Sequence, residues 1–395
     1  MKKLLIATAA LAMVAGTAQA QSSVTVYGIL DMGYSDLSTK AHNATNAGTT
    51  TDTVGINNGS GLSGSRLGFR GTEDLGGGLT AGFTFETALA TDSTTAGVGA
   101  VRQGLISLTS KSMGSLNFGR GNTLGKNAND TFTAFGGGGS FEQGAVALEV
   151  TRGSALGVAT GATIDESQLI RAAVDRASNQ VTYVSPAFNG FTVAAQLVEK
   201  SVDRDAATNG GETSSSGTAF QLSYASGPIA ASYTRTKLET QVEAAAATST
   251  APTTVTISSV AYPTSLATAA VTASKSETTV DQFGVSYTAG AFKVFGLYND
   301  AEYQATAGAA KAQNKGYDIG ATYTMGKTTL LASFGDGEMK DAAAAAVTDV
   351  EGMQAQVRYA LSKRTTAYAI YGITEYKGTK KGESEVTMIG LRHTF

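Results

Sequence analysis

Arg66 and Arg70 are four residues apart and opposite in phase to Leu67 and Phe69. In an extended segment successive side chains point to opposite faces, so both guanidinium groups share the polar one. Arg176 falls in phase with Gln180 and Thr182 and out of phase with Val181 and Tyr183. Arg358 is opposite Val357 and Tyr359, and Arg392 is opposite Leu391 and His393. Arg120 stands at the mouth of a long aperiodic stretch, 121–175, whose acids include Asp130, Glu142, Glu149, Asp165 and Glu166. Fixed guanidinium groups along a wet passage make and break no bonds. They set a potential that favours counter-ions and repels co-ions. Acids on the opposing wall would add a transverse field. The expectation is a basic ladder of Arg66, Arg70, Arg120 and Arg176 facing loop acids such as Asp130 and Glu142, with a mild preference for anions.

Bond-making chemistry fails on inventory. The chain has two histidines and no cysteine. His42 falls in a polar loop and His393 in an apolar phase, so neither suits a Ser-His nucleophile. Absent cysteine removes thiol catalysis and thiolate zinc sites. Gly76–Ala81 matches a GxGxxA pattern but sits in a turn with no helix after it, and Gly125-Lys126 lacks the rest of a phosphate loop. No enzyme activity, cofactor, metal or nucleic-acid partner is expected.

The elements that must position these arginines recur from Val24 to Phe395. About ten residues alternate apolar and polar, a tight turn follows, a second such segment follows, and then a longer polar loop. The first segment runs over 24–34 and the second over about 63–73, with Asp74–Gly78 turning into the third. Pairs then flank 110–114, 186–189, 226–228, 289–291, 325–327 and 361–365, and the last strand covers about 384–395. The count is sixteen. Eight longer connections fall at about 35–62, 90–101, 121–175, 200–216, 239–277, 303–315, 336–349 and 377–383. Low-complexity stretches at 244–274 and Ala342–Ala346 read as solvated loops, and 165–177 has the apolar spacing of a short helix. Period two with short and long connectors in alternation is the pattern of an all-β, antiparallel transmembrane barrel, lipid outside and water inside. Tyr34, Phe83, Phe85, Tyr183, Phe191, Tyr287, Tyr359 and Tyr371 supply rings for its interfacial girdles. A soluble sandwich rarely keeps this alternation for so long.

Residues 1–20 carry Lys2 and Lys3, an apolar core over 4–15 and Ala18-Gln19-Ala20, the pattern of a secretory signal peptide. Without the two lysines the formal charge goes from −3 to −5. No later run of 18 apolar residues provides a membrane helix.

Five segments then resemble the porins of Gram-negative outer membranes, in particular those of β-proteobacteria. They are Ser23–Gly33, Ser65–Gly78, Leu116–Arg120, Asn179–Gly190 and Gly390–Phe395. The ending, with Ile389, Leu391, His393 and Phe395 in one phase, is the most specific. The resemblance implies a homotrimer of sixteen-stranded barrels with an inward-folded constriction loop. It also implies passive diffusion of small hydrophilic solutes and ions, contact with outer-membrane lipid and lipopolysaccharide, and recognition of Phe395 by the barrel-assembly machinery. By position, 121–175 corresponds to the family's constricting loop. Its text is rich in Gly and Ala (Gly136–Gly139, Ala145–Ala147) and lacks the acidic Pro-Glu-Phe type segment of some members. A substrate-specific channel and a non-conducting adhesin or receptor barrel remain as alternatives.

Overall fold

The computed structural model describes residues 23–42, 48–58, 61–92, 97–135, 176–202, 213–242, 254–257, 260–263, 274–305, 309–340, 347–378 and 381–395. The expected signal peptide, 1–20, lies outside them. The elements in chain order are β1 (Ser23–His42), β2 (Gly48–Asn58), β3 (Arg66–Gly76), β4 (Leu79–Leu89), β5 (Val98–Ser110) and β6 (Gly114–Asn122). Helix α1 (Leu124–Phe132) follows, then β7 (Arg176–Val184), β8 (Phe191–Val202), β9 (Thr213–Ser226) and β10 (Ile229–Val242). A short hairpin, β11 (Thr254–Ile257) with β12 (Val260–Pro263), stands apart. The wall resumes with β13 (Ser274–Ala289), β14 (Phe292–Gln304), β15 (Lys311–Met325) and β16 (Thr328–Lys340), and ends with β17 (Val347–Ala360), β18 (Thr365–Gly378) and β19 (Lys381–Thr394).

Sixteen of these strands pair antiparallel with their neighbours, and β19 returns to β1 to close the sheet. Closure satisfies every wall strand's backbone, which is what lipid demands. At the seam, Gly28 N donates to Phe395 O and Phe395 N to Gly28 O, both 3.0 Å. The Phe395 ring lies over Gly28, where an added Cβ would come within 2.3 Å of it. The sixteen-strand count therefore holds. Seven tight turns share one rim; the first uses Gly76, Gly77 and Gly78, all at positive φ, where a side chain would be strained.

Two differences from the sequence expectation concern loops. β1 continues to His42, and its outer half pairs with β2 over Met32–His42 while its inner half pairs with β3 over Ser23–Ile29. The stretch 35–62 thus holds a seventeenth strand of the sheet, built from a Thr-rich text suited to the pleat. The stretch 244–274 holds the β11–β12 hairpin. Several wall strands, β15 among them, also extend past the expected boundaries into text that composition marked as loop.

Burial alternates along the strands. Val26, Phe83, Phe85, Ile106, Phe118, Phe283, Ile319, Phe334 and Ile389 are exposed on the outer face. The opposite phase is polar and covered: Gln180, Thr182, Gln196, Thr234, Gln282 and Asn299 are buried. Something inside the barrel must be covering them.

Candidate functional site: the lumen wall and its inward loop

Part of the cover is α1. Thr123 caps it, its hydroxyl accepting from Lys126 N at 3.1 Å. Leu124 packs on Ala194 and Ala219, Phe132 on Leu297 and Ala230, and Ala134 and Phe135 on Phe295 and Leu331. Phe135 O then accepts from Arg358 Nη2 at 3.0 Å. The loop after β6 therefore folds inward and runs along the wall from β8 to β17. An inner-wall glycine makes room for it: a Cβ at Gly284 would lie 2.2 Å from Phe132 Cδ2.

A second inward piece was not expected. Residues 61–65 fold onto the inside of β18, β19 and β1, with Leu62 buried against Tyr368, Ile370 and Met388. Asp31 anchors it. Its carboxylate accepts from Tyr368 Oη at 2.6 Å and from Ser63 N at 2.8 Å.

The arc of wall left bare by α1 carries the guanidinium groups. Arg66 and Arg70 both project from the inner face of β3, as their phase indicated. Arg70 is exposed, stacked over the Tyr27 ring at 5.2 Å. Arg66 donates from Nε to Gly64 O at 2.9 Å and lies 3.7 Å from Glu86. Glu86, nearly buried on β4, also accepts from Tyr27 Oη at 3.3 Å and from Arg102 Nε at 2.7 Å. Arg392 lies directly across from Asp31 on the same inner face.

Arg102 and Glu86 were missed, for different reasons. The β4–β5 register slips between Glu86–Gln103 and Thr87–Val101, leaving Arg102 as the extra residue of a bulge. Bulges re-aim side chains, and strict alternation cannot foresee them. Glu86 was on the polar phase from the start, but nothing in the sequence set it apart from other polar wall residues.

A second bulge corrects Arg176. The β6–β7 register slips between Gly119–Gln180 and Gly121–Ala177, and Asn179 sits at φ 55 within the extra length. Ala177 takes the phase of Gln180, so Arg176, opposite Asn122, leaves the face on which period two had put it. Arg120 is also corrected. It pairs with Gly104 in the row that pairs Phe118 with the exposed Ile106, on the outer phase. Its guanidinium donates to Val101 O at 2.7 Å and Ser178 Oγ at 2.9 Å. Neither arginine continues the ladder of Arg66 and Arg70.

Of the loop acids, Asp130 is on α1 and is paired at 2.5 Å with the buried Lys126 one turn earlier. The pair is neutral as a whole, so removing the carboxylate leaves the Lys126 ammonium uncompensated. We expect Asp130→Asn to move the zero-current potential in a salt gradient further toward the anion side, opposite in sign to the shift of Arg70→Ser. No shift, or a shift toward cations, would show that this pair does not act on permeating ions. Glu142, Glu149, Asp165 and Glu166 lie outside the described residues, as does 165–175 of the expected helix; Arg176 and Ala177 begin β7.

A closed sixteen-stranded barrel with polar inner and apolar outer faces and a loop folded into its lumen defines a membrane pore-type protein. The family model for Gram-negative porins matches residues 7–379, and the chain belongs to that family. Its place is accordingly the outer membrane. Over 216 residues it is 35% identical to an outer membrane porin protein of Bordetella pertussis, covering 52% of this chain and 50% of that one. Over 198 residues it is 35% identical to outer membrane porin protein 32 of Delftia acidovorans, covering 48% of each. The chain thus spans about half the length of the curated relatives it matches. The fold is shared with an anion-selective porin from Comamonas acidovorans at TM-score 0.65 and 21% identity, covering 95% of this chain and 100% of that one. It is shared also with OmpT of Vibrio cholerae at TM-score 0.60 and 16% identity, covering 95% and 98%.

Proposed function

We propose that the chain forms a water-filled channel for passive diffusion of small hydrophilic solutes and ions, weakly selective for anions, and that it works as a homotrimer. The observation that carries this reading is the unequal inner wall. Arg66, Arg70 and Arg102 stand on the arc of wall that α1 leaves free, while α1 covers the wall from β8 onward. A solute crossing the lumen passes between the two. The guanidinium arc raises the local concentration of anions and lowers that of cations.

The outer face supports the trimer. Cross-strand ion pairs on that face join β1 to β19, β10 to β13, β14 to β15, β15 to β16 and β17 to β18. They form a polar belt outside the apolar band. Within it the Glu239 carboxyl, hydrogen-bonded by the ammonium groups of Lys237 and Lys275, is held below the usual carboxylate range. Such charges suit headgroups and phosphate-bearing glycolipid, the outer-membrane lipid and lipopolysaccharide contact. Over β3–β6 the outer face instead shows Phe69, Phe83, Phe85, Ile106 and Phe118 on strands of 9 to 13 residues. A short apolar arc of this kind suits burial against a second copy. Phe395, paired at the seam, is the residue we assign to the barrel-assembly machinery.

Planar-bilayer recording of the purified protein tests the reading. Large ohmic openings that close in three equal steps are expected. A protein that inserts but passes no current would favour the adhesin or receptor reading. Block by a single solute class at low concentration would favour a substrate-specific channel.

A further inference from the structure

Besides its apolar packing and the Arg358 contact at Phe135 O, the loop is held to the wall by uncharged amides. Gln196 on β8 accepts from Leu124 N at 3.4 Å, and its Nε2 donates to Gln180 and Thr182, both 2.9 Å, and to Asn122 O at 3.3 Å. Gln221 on β9 donates to Leu124 O at 3.4 Å and to Thr234 at 2.9 Å. Gln282 on β13, fully buried, donates to Asn129 Oδ1 at 2.9 Å and to Asn299 Oδ1 at 3.0 Å. The strand register lines these groups up. Thr182 faces Gln196, and Gln221, Thr234, Gln282 and Asn299 follow one another across four strands. The result is a row of amides and hydroxyls on the inner wall beneath α1. Its contacts reach both ends of the helix: the peptide groups of Leu124 and the side chain of Asn129.

We infer that Gln196, Gln221 and Gln282 are the positioning residues of the constriction, fixing how far α1 stands into the lumen and so the size of solute that passes. This rests on the channel reading above and deepens it. Charge and size are then controlled by separate parts of the wall. The guanidinium arc sets the sign, and the amide row sets the bore. A buried amide that loses its partner leaves the remaining groups unsatisfied, which favours water entry and release of the helix. The amides and hydroxyls of the row do not themselves titrate in the ordinary range.

The test compares wild type with Gln282→Met and Gln196→Met, which keep side-chain length but cannot make these bonds, and with Gln282→Asn. Single-channel conductance, open-channel noise and the zero-current potential are read in bilayers, and permeation of neutral sugars of increasing size in liposomes. Thermal stability of the folded barrel is read alongside. With α1 freed from the wall we expect conductance to fall roughly twofold with added noise, and the sugar size cutoff to drop, while the zero-current potential keeps its sign. The barrel should stay folded, and Gln282→Asn should recover part of the loss. Unchanged conductance and size cutoff in folded Met variants would overturn the inference. So would a change that simply tracks loss of barrel stability in both variants. A wild-type protein that fails to conduct would instead remove the channel reading itself.

Discussion

Replacing Arg66, Arg70 and Arg102 together with serine should abolish the anion preference and carry the zero-current potential to the cation side. Three guanidinium groups less the Glu86 carboxylate leave a formal +2 on this patch; without the arginines it is −1. A unit charge about 6 Å from a permeating ion in water contributes about 0.7 kcal/mol, a roughly threefold bias in local concentration. Salt shortens its reach to about 10 Å at 0.1 M, still comparable to a narrow lumen. The three positions are unequal. The side chains of Arg66 and Arg102 are only 16% and 13% exposed, whereas Arg70 is exposed over the Tyr27 ring and nearer to permeating ions. Arg70→Ser alone should therefore shift the potential more than Arg66→Ser. Equal shifts, or a triple variant that stays anion-selective, would mean that the sign is set elsewhere.

The second large effect comes from Gly284. Any side chain there meets Phe132, since a Cβ would lie 2.2 Å from Cδ2 and 2.4 Å from Cγ of that ring. The ring cannot retreat into the wall, so Gly284→Val must drive the C-terminal end of α1 toward the lumen. Overpacking of this kind costs about 1–3 kcal/mol when the structure does not yield. Here the helix can yield inward, so the expected outcome is a folded barrel whose conductance falls at least about twofold, with the sign of its selectivity kept. Gly296 is the matched control. It lies on the outer phase of the neighbouring β14, and its Cβ would meet Val285 at an ordinary 3.5 Å. Gly296→Val should conduct like wild type; if both variants conduct normally, Phe132 does not hold α1 in place.

How much of this was legible in the sequence differs by feature. Period two and connector length were enough for the sixteen wall strands, because lipid on one side and water on the other write a pattern at every residue. They were not enough for β2, where the Thr-rich text 48–58 offers only Val54 and Ile56 as an apolar phase, too short to mark a strand. Arg66 and Arg70 were legible because β3 is regular where they stand. Arg102 and Arg176 were not, because each adjoins a bulge, and a single extra residue reverses the face of everything beyond it. Arg120 failed differently: its place at the loop mouth was informative, but its own phase, shared with Phe118, pointed outward. The amides of the helix seat stand on the polar phase, but they carry no charge that would set them apart from other polar wall residues. Their meaning comes only from the register that sets Gln221, Thr234, Gln282 and Asn299 side by side.

The most direct test of the account is the zero-current potential of the unmodified protein in a salt gradient across a planar bilayer. A modest potential of the sign carried by anions is predicted, shrinking as ionic strength rises. A clear cation preference in the wild-type channel would contradict the guanidinium arc as the element that sets selectivity.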